Sequence, residues 1–292
     1  MLEELNKICK VESDIDLTQY NTYRIHSVGK YIIFPTSFDE LINILNIVKN
    51  YNYKYLILGN GSNVILPDYY DGLIIKVNNL NNYEIKNDMV YAECGCMINK
   101  IANELVNKGL SGLEWATGIP GSIGGCVYNN AGAYNSSMSD ILEEVTFYDG
   151  QDIKTLKCDE LDFEYRDSIF KKNKELVVLS CNFKVSKSNK EELKNIVLDR
   201  TNRRMQTQDL SHPSCGSVFR NPVEAPAGKL IEDSGFKGYF INDAMVSKIH
   251  ANFIINNGNA KQEDIVKLIN EIKEKIKKQY NINLILEQEI IK

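Results

Sequence analysis

Residues Gly112 to Tyr134, GLEWATGIPGSIGGCVYNNAGAY, carry glycine at 112, 118, 121, 124, 125 and 132 among small and amide-bearing side chains. The stretch has no run of charge and neither a helical nor an alternating apolar period. Glycine loses more conformational freedom on folding than any other residue, so this density implies a backbone that must approach another group closely. Such a backbone can turn its N–H groups toward a phosphate. A second glycine loop, Gly59-Asn60-Gly61-Ser62-Asn63, lies upstream, and two such loops point to a large phosphate-bearing ligand. Neither is a standard nucleotide motif. GNGSNV lacks the third glycine of the dinucleotide fingerprint and runs into VILP, which reads as strand, and no GK[ST] completes a P-loop. A plain turn accounts for GNGSN equally well, and a loop packed by its own small residues is the alternative for the longer segment.

Isolated polar residues supply further candidates. The chain has only six arginines, which singles out Tyr165-Arg166-Asp167-Ser168, set between apolar patches. A surface salt bridge is the competing reading of that tetrapeptide. Ser217, in Gly216-Ser217-Val218-Phe219, follows Pro213 and precedes Asn221-Pro222, with no GxSxG around it to make an acyl-transfer nucleophile. Glu287 and Glu289 alternate with Leu286 and Gln288, so on a strand both carboxylates share a face, as they would on a solvated edge. His250 precedes the apolar run Ala251–Asn256, where a lone histidine is more often structural than functional.

The elements that must position these residues alternate. Ser37 to Asn50 reads as a helix, capped by Ser37, with Leu41, Ile44, Leu45 and Val48 on one face. Strands are expected at 55–58, 72–77, 90–94, around 141–148 and at 176–184, and a helix over 99–108 closed by Gly109. The alternation implies layers of helix and sheet. Beyond a polar helix at 188–206 the chain changes character. A short helix at 228–234, a buried strand at 251–256, an amphipathic helix over 261–280 and a closing strand at 283–290 are expected.

Bulk properties exclude several classes. At 292 residues, with 43% hydrophobic and 25% charged content, the chain is an ordinary globular one near the size where cores split. A net charge of −5 argues against a general nucleic-acid-binding face. No apolar run reaches membrane-spanning length, and the N-terminus lacks a secretory apolar region. The seven cysteines include no CxxC pair; they read as reduced packing residues of a cytoplasmic protein, with Cys94 and Cys96 on one side of a strand.

Taken in order, NTYRI, LGNGSNVIL, GLEWATGIPGSIGGCVYNNAGAY, FEYRDSIF, PSCGSVFRNP, AGKLIEDSGFKG, VSKIHANFIIN and LEQEI resemble one family, the UDP-N-acetylenolpyruvoylglucosamine reductases, from Asn21 to the C-terminus. The chain looks like the family's shorter type, without the extra substrate-covering loop. The resemblance implies an α+β fold: an FAD-binding fold of vanillyl-alcohol-oxidase type in two lobes, 1–80 and 81–192, with a C-terminal α+β substrate domain, 193–292. It implies tightly bound FAD, NADPH as hydride donor, and reduction of the enolpyruvyl ether of UDP-N-acetylglucosamine to UDP-N-acetylmuramate for the bacterial cell wall. A small-molecule substrate, a monomer and no metal, nucleic-acid or membrane partner are expected. No separate motif for NADPH is present, so NADPH and the UDP-sugar would take turns in one cleft between domains.

By motif match, Ser217 is the expected proton donor, Arg166 the stabiliser of developing charge and Glu289 the third catalytic residue. FAD is expected at Gly59, Asn60, Gly61, Ser62, Asn63, Gly118, Ile119, Pro120, Gly121, Ser122, Gly124, Gly125, Asn129, Ala131, Gly132, Ala133 and Tyr134, through backbone N–H groups. Tyr165, Asn221, Lys237 and His250 are the expected substrate contacts, Lys237 as a point charge on a phosphate. The chain departs from the family pattern at Asn242-Asp243-Ala244, where Gly-Gly-Ala is usual, at Asp209 in place of proline, and at His26-Ser27-Val28. Two other readings stand beside this one: another FAD enzyme on the same fold, oxidising a small hydroxy acid or lactone, and a non-catalytic flavin or nucleotide-sugar binding module.

Overall fold

A computed structural model describes residues 1 to 292. The chain divides into two compact units, one of 1–12, 31–60 and 72–202, the other of 13–30, 61–71 and 203–292.

In the first unit the helix Phe38–Asn50 forms as its apolar spacing predicts. Leu41, Ile44, Leu45 and Val48 are buried, and the Ser37 hydroxyl accepts from the Glu40 N–H at 3.2 Å. The strand Tyr55–Leu58 pairs in parallel with the end of Tyr69–Lys76, Leu58 opposite Lys76. An antiparallel sheet of five strands runs in the order Ile153–Lys157, Leu142–Tyr148, Val177–Lys184, Met89–Glu93, Tyr83–Lys86. The helix Ile98–Lys108 ends at Gly109 as expected. The core of this unit joins Val90, Ile101, Leu105, Val145, Phe147, Phe170, Leu179 and Phe183.

The second unit has its own core. Ile265, Leu268, Ile269, Ile272 and Ile276, the stripe of the helix Gln262–Tyr280, pack with Tyr23, Val218, Phe219, Ile231 and Ile254. A small antiparallel sheet joins Phe240–Ile241, Ala244–Val246 and Ile254–Asn256. No helix in the chain is long and apolar enough to cross a membrane.

Four local expectations are corrected. The glycine-rich segment contains a short helix, Ile123–Tyr128, capped by Ser122. Cys94 and Cys96 are buried, but the strand ends at Glu93 and they sit in a turn that donates backbone bonds to Leu179, Leu80 and Glu93. Of the expected strand 283–290 only Glu289–Ile290 is regular, because the residues before it pair with an irregular extended segment. The strand expected at 251–256 is regular only over Ile254–Asn256, because its first residues form the turn closed by the Phe253 N–H on the His250 carbonyl. All seven cysteines are free thiols and five are buried.

Candidate active site

The two glycine-rich stretches meet in the first unit. A Cβ on Gly59 would lie 2.2 Å from the Ser122 hydroxyl, so the chain passes there only without a side chain. The Asn60 carboxamide donates to the Pro120 carbonyl at 2.7 Å. Beneath them lies a buried cation. Lys76, 4% exposed, donates to the Gly59 carbonyl and the Asn78 side chain, and burial pushes its ammonium down to about 8.

The amides of the longer segment, all expected to face a ligand, are partly engaged within the protein. Ile123 and Gly124 donate to the carbonyls of Cys96 and Cys94, both at 2.8 Å, Gly125 to the Ser122 hydroxyl at 3.4 Å, and Ala131 to Cys126 at 2.8 Å. Gly124 is needed for packing instead: its Cβ would sit 3.0 Å from that of Cys94. Ile119 likewise donates to the Ala116 carbonyl at 2.9 Å and Pro120 has no N–H, and the stretch then continues into a hairpin. There Gly132–Ala133 pairs with Ser136–Ser137 across Tyr134 and Asn135, both at positive φ, the geometry of a primed two-residue turn.

The Tyr165-Arg166 turn is latched onto this hairpin. Arg166 Nη2 donates to the Gly132 carbonyl at 2.5 Å and Nη1 to that of Asn130 at 3.4 Å. The Asn130 carboxamide donates to the Glu164 carbonyl at 2.9 Å, and the Ser168 hydroxyl to that of Tyr128 at 2.7 Å. Lys171 reaches the Asn129 side chain at 2.8 Å. Arg166 stacks on Tyr165, 5.0 Å to the ring centroid, and Tyr165 is 52% exposed. Arg166, Asn129 and Gly132, separately expected from the sequence, are thus one local structure.

In the second unit Ser217 lies on an extended segment paired on both sides. Ser217 bridges Phe253, and Val218 N–H donates to Asn252. On the other side Glu287 N–H donates to Val218, and Phe219 bridges Leu286. The Asn252 carboxamide brackets Phe219, accepting from its N–H at 3.0 Å and donating to its carbonyl at 2.8 Å. Gln288 is buried, accepts from the Tyr23 hydroxyl at 2.9 Å and donates to the Gly216 carbonyl at 3.2 Å. Glu287 and Glu289, on either side of it, are half-buried, and the chain bends at 287–288, so the regular alternation expected for a strand does not extend across them. Glu289 N–H donates to Asn63, whose carboxamide returns to the Glu287 carbonyl at 3.0 Å. Asn63, expected on the cofactor, braces the Glu289 strand. Gly61 accepts through its carbonyl from the Thr22 N–H at 3.1 Å.

The expected substrate residues of this unit gather near the helix Ala227–Asp233. The Asn221 side-chain oxygen accepts from the Ala227 N–H at 3.0 Å, a capping bond that the sequence did not signal. Lys237 pairs with Glu232 at 2.9 Å. His250 stacks on Phe253, centroids 4.6 Å apart, and its Nδ1 accepts from the Asn252 N–H at 3.2 Å. Burial first, and the Lys237 charge as well, push its imidazole below its ordinary value, so the ring is neutral with the proton on Nε2.

The departures from the family pattern acquire partners. Asn242 takes φ 49 and donates to Asp264 at 2.6 Å. Asp243 accepts from the Asn259 N–H at 2.8 Å. Asp209 is buried; burial opposes its charge, yet bonds from His212, Ser247 and Ser211 hold it below the usual carboxylate value. Ser27 donates to the Pro67 carbonyl at 2.6 Å.

Residues 29–159 match the FAD binding domain, and residues 208–291 the C-terminal domain of UDP-N-acetylenolpyruvoylglucosamine reductase. The Bacillus subtilis protein of that name is 37% identical over 297 residues, covering 100% of this chain and 98% of its own. The chain belongs to the UDP-N-acetylenolpyruvoylglucosamine reductase family. The crystal structure of the Thermus caldophilus reductase superposes with a TM-score of 0.83 at 29% identity, over 97% of this chain and all of that one. The Physcomitrella patens protein BBE-like 1 superposes at a TM-score of 0.50 and 14% identity, over 63% of this chain and 44% of its own, which speaks for the fold alone. The α+β, oxidase-type FAD fold read from the motifs is borne out, and with it an oxidoreductase of a family that uses FAD and NADPH.

The residues present fit that cofactor. Lys76 lies against Gly59, and Arg166 and Lys171 against the segment 128–134, so a chain of net charge −5 places cations at both glycine-rich stretches, as a diphosphate requires. Lys76 and Lys171 were missed from the sequence; a lysine ending the apolar run Leu73-Ile74-Ile75 was the available signal.

Proposed function

We propose that this protein reduces the enolpyruvyl ether of UDP-N-acetylglucosamine to UDP-N-acetylmuramate, with NADPH as donor and bound FAD, in peptidoglycan synthesis. The observation that carries the reading is the second unit's pairing of the Ser217 segment with the Glu287–Glu289 segment, inside the stretch that matches the family's C-terminal domain.

FAD, when bound, supplies a hydride acceptor for NADPH and a hydride donor for the enolpyruvyl double bond. Gly59, Asn60, the 118–122 turn and the Ala131–Tyr134 hairpin hold the cofactor, with Lys76 fixing the Gly59 carbonyl. As hydride arrives at the far carbon of the substrate, negative charge grows toward its carboxylate. Arg166 offers a guanidinium to that charge, and Glu289 orients the reacting group. Ser217 gives its hydroxyl proton to the adjacent carbon. A serine hydroxyl is a weak acid, so it serves here because the enol-like substrate intermediate is strongly basic. Lys237 and His250 receive the UDP-sugar, Lys237 as a point charge and His250 through its Nε2–H, and Tyr165 and Asn221 flank it.

By function the chain divides into FAD-binding lobes at 1–80 and 81–192 and a substrate domain at 193–292. The protein works in the cytoplasm as a monomer on a small-molecule substrate. The test is an absorbance spectrum of the purified protein, anaerobic NADPH titration, then addition of the enolpyruvyl substrate. A flavin spectrum bleached by NADPH and restored by the substrate is expected. A colourless protein that takes up no FAD, or a reduced flavin restored by oxygen and not by the substrate, would overturn the assignment.

A further inference from the structure

Arg200, on the polar helix Lys190–Thr207, belongs to no motif of the family resemblance, yet it is tied to the flavin hairpin from the other side to Arg166 in sequence. Its guanidinium carbon lies 4.8 Å from the centroid of the Tyr134 ring, and the Tyr134 hydroxyl donates to the Arg200 carbonyl at 3.2 Å. Tyr134 sits at φ 55, a region that bulky aromatic residues rarely enter, so the hairpin turn is held open by contacts such as these. The stack leaves Arg200 with one distinctive atom: Nη1 is buried and makes no hydrogen bond within the protein. A buried cationic N–H without an acceptor is costly, and a guanidinium fork matches phosphate oxygens in shape and charge. A face stacked on an aromatic ring also presets the orientation of that fork.

We propose that Arg200, braced on Tyr134, is a phosphate-recognising residue of the site, receiving an oxygen of a diphosphate ester. The two sources of that chemistry are FAD and the UDP-sugar, so the inference rests on the function proposed above. The same chain thus places a second arginine on the hairpin that Arg166 already holds through Gly132.

The test compares Arg200→Leu and Arg200→Lys with the wild-type holoprotein. Flavin retention is read from the fluorescence of FAD released on dilution, and UDP binding by titration calorimetry, both at low and high salt. Arg200→Leu is expected to weaken FAD retention or UDP affinity by about 10- to 100-fold, the range for a lost charge-assisted bond, and to flatten the salt dependence. Arg200→Lys, which keeps the charge but not the fork, should recover part of that loss. Loss confined to FAD identifies the cofactor's diphosphate, and loss confined to UDP identifies the substrate's. The proposal is overturned if Arg200→Leu changes both by less than tenfold, or if Arg200→Lys is as weak as Arg200→Leu, which would make the stack merely structural. A wild-type protein that holds neither FAD nor UDP would refute the underlying function, a result distinct from normal wild-type binding that Arg200→Leu leaves untouched.

Discussion

The hairpin at 128–137 and the segment at 216–220 each carry expected site residues, and they are held in place by different means. The first is a loop fixed by side chains: Arg166 and Ser168 reach in to its carbonyls and Lys171 to its Asn129 side chain, while its own Asn130 ties it outward to Ser139 and Glu164. The second is fixed by backbone pairing on two sides, with one carboxamide, that of Asn252, standing in for a strand. A loop pinned by side chains can present many backbone groups to a large ligand, but each pin is a single point of failure. A segment pinned by backbone tolerates side-chain change and can therefore commit its one hydroxyl to chemistry.

If that contrast is right, Ser217→Ala removes chemistry and leaves structure. The reoxidation of reduced flavin by the enolpyruvyl substrate should slow by about 10²- to 10⁴-fold, with reduction by NADPH nearly unchanged, in stopped-flow measurements. Equal slowing of both half-reactions would deny Ser217 its separate role. Arg166→Ala should do both kinds of damage. A loss of about 3 kcal/mol in the same half-reaction is expected, by analogy with a deleted oxyanion donor, together with weaker FAD retention because the Gly132 and Asn130 carbonyls lose their partner. Full flavin occupancy in that variant would show that the hairpin needs no such pin.

Asn252→Ala tests the backbone-pinned region directly. It strands the Phe219 N–H and carbonyl in a buried setting and should cost about 1–3 kcal/mol in denaturant unfolding. No change in midpoint would mean that the flanking strands alone hold the segment.

A last contrast concerns Lys76, the buried cation under Gly59. Its ammonium is pushed down to about 8 in the fold against an ordinary 10.5, so between those values the unfolded chain binds more protons. Stability contributed by this site should therefore rise with pH across that window, by up to about 1.4 kcal/mol per pH unit. Lys76→Met should abolish that slope; an identical pH profile in the variant would place the titrating group elsewhere.

Much of this was legible in the chain. The helix Phe38–Asn50 is written in its cap and apolar spacing, and the hairpin segment in a glycine density that ordinary loops do not carry. Ser217, Arg166 and Glu289 were picked out by motif, but their supports were not. Asn63 and Asn221 were expected on ligands and are engaged, at least in part, by the protein itself. Gly124 and Gly125 were expected to offer amides, which instead close the Ile123–Tyr128 helix onto Cys94 and Ser122. The bonds from Asn63 to Glu287 and from Gly124 to Cys94 join residues distant in sequence, so no local pattern announces them.

Composition and spacing alone determined where the chain could bend without side chains, which faces of its helices were apolar and which few residues could hold or donate charge. These are properties of each residue and its near neighbours. Only tertiary structure decided which amides were already spent, that Lys76 would be buried as a cation, and that Arg200 would be stacked on Tyr134. Those outcomes depend on desolvation and on partners brought from afar, and both exist only once the chain has closed on itself.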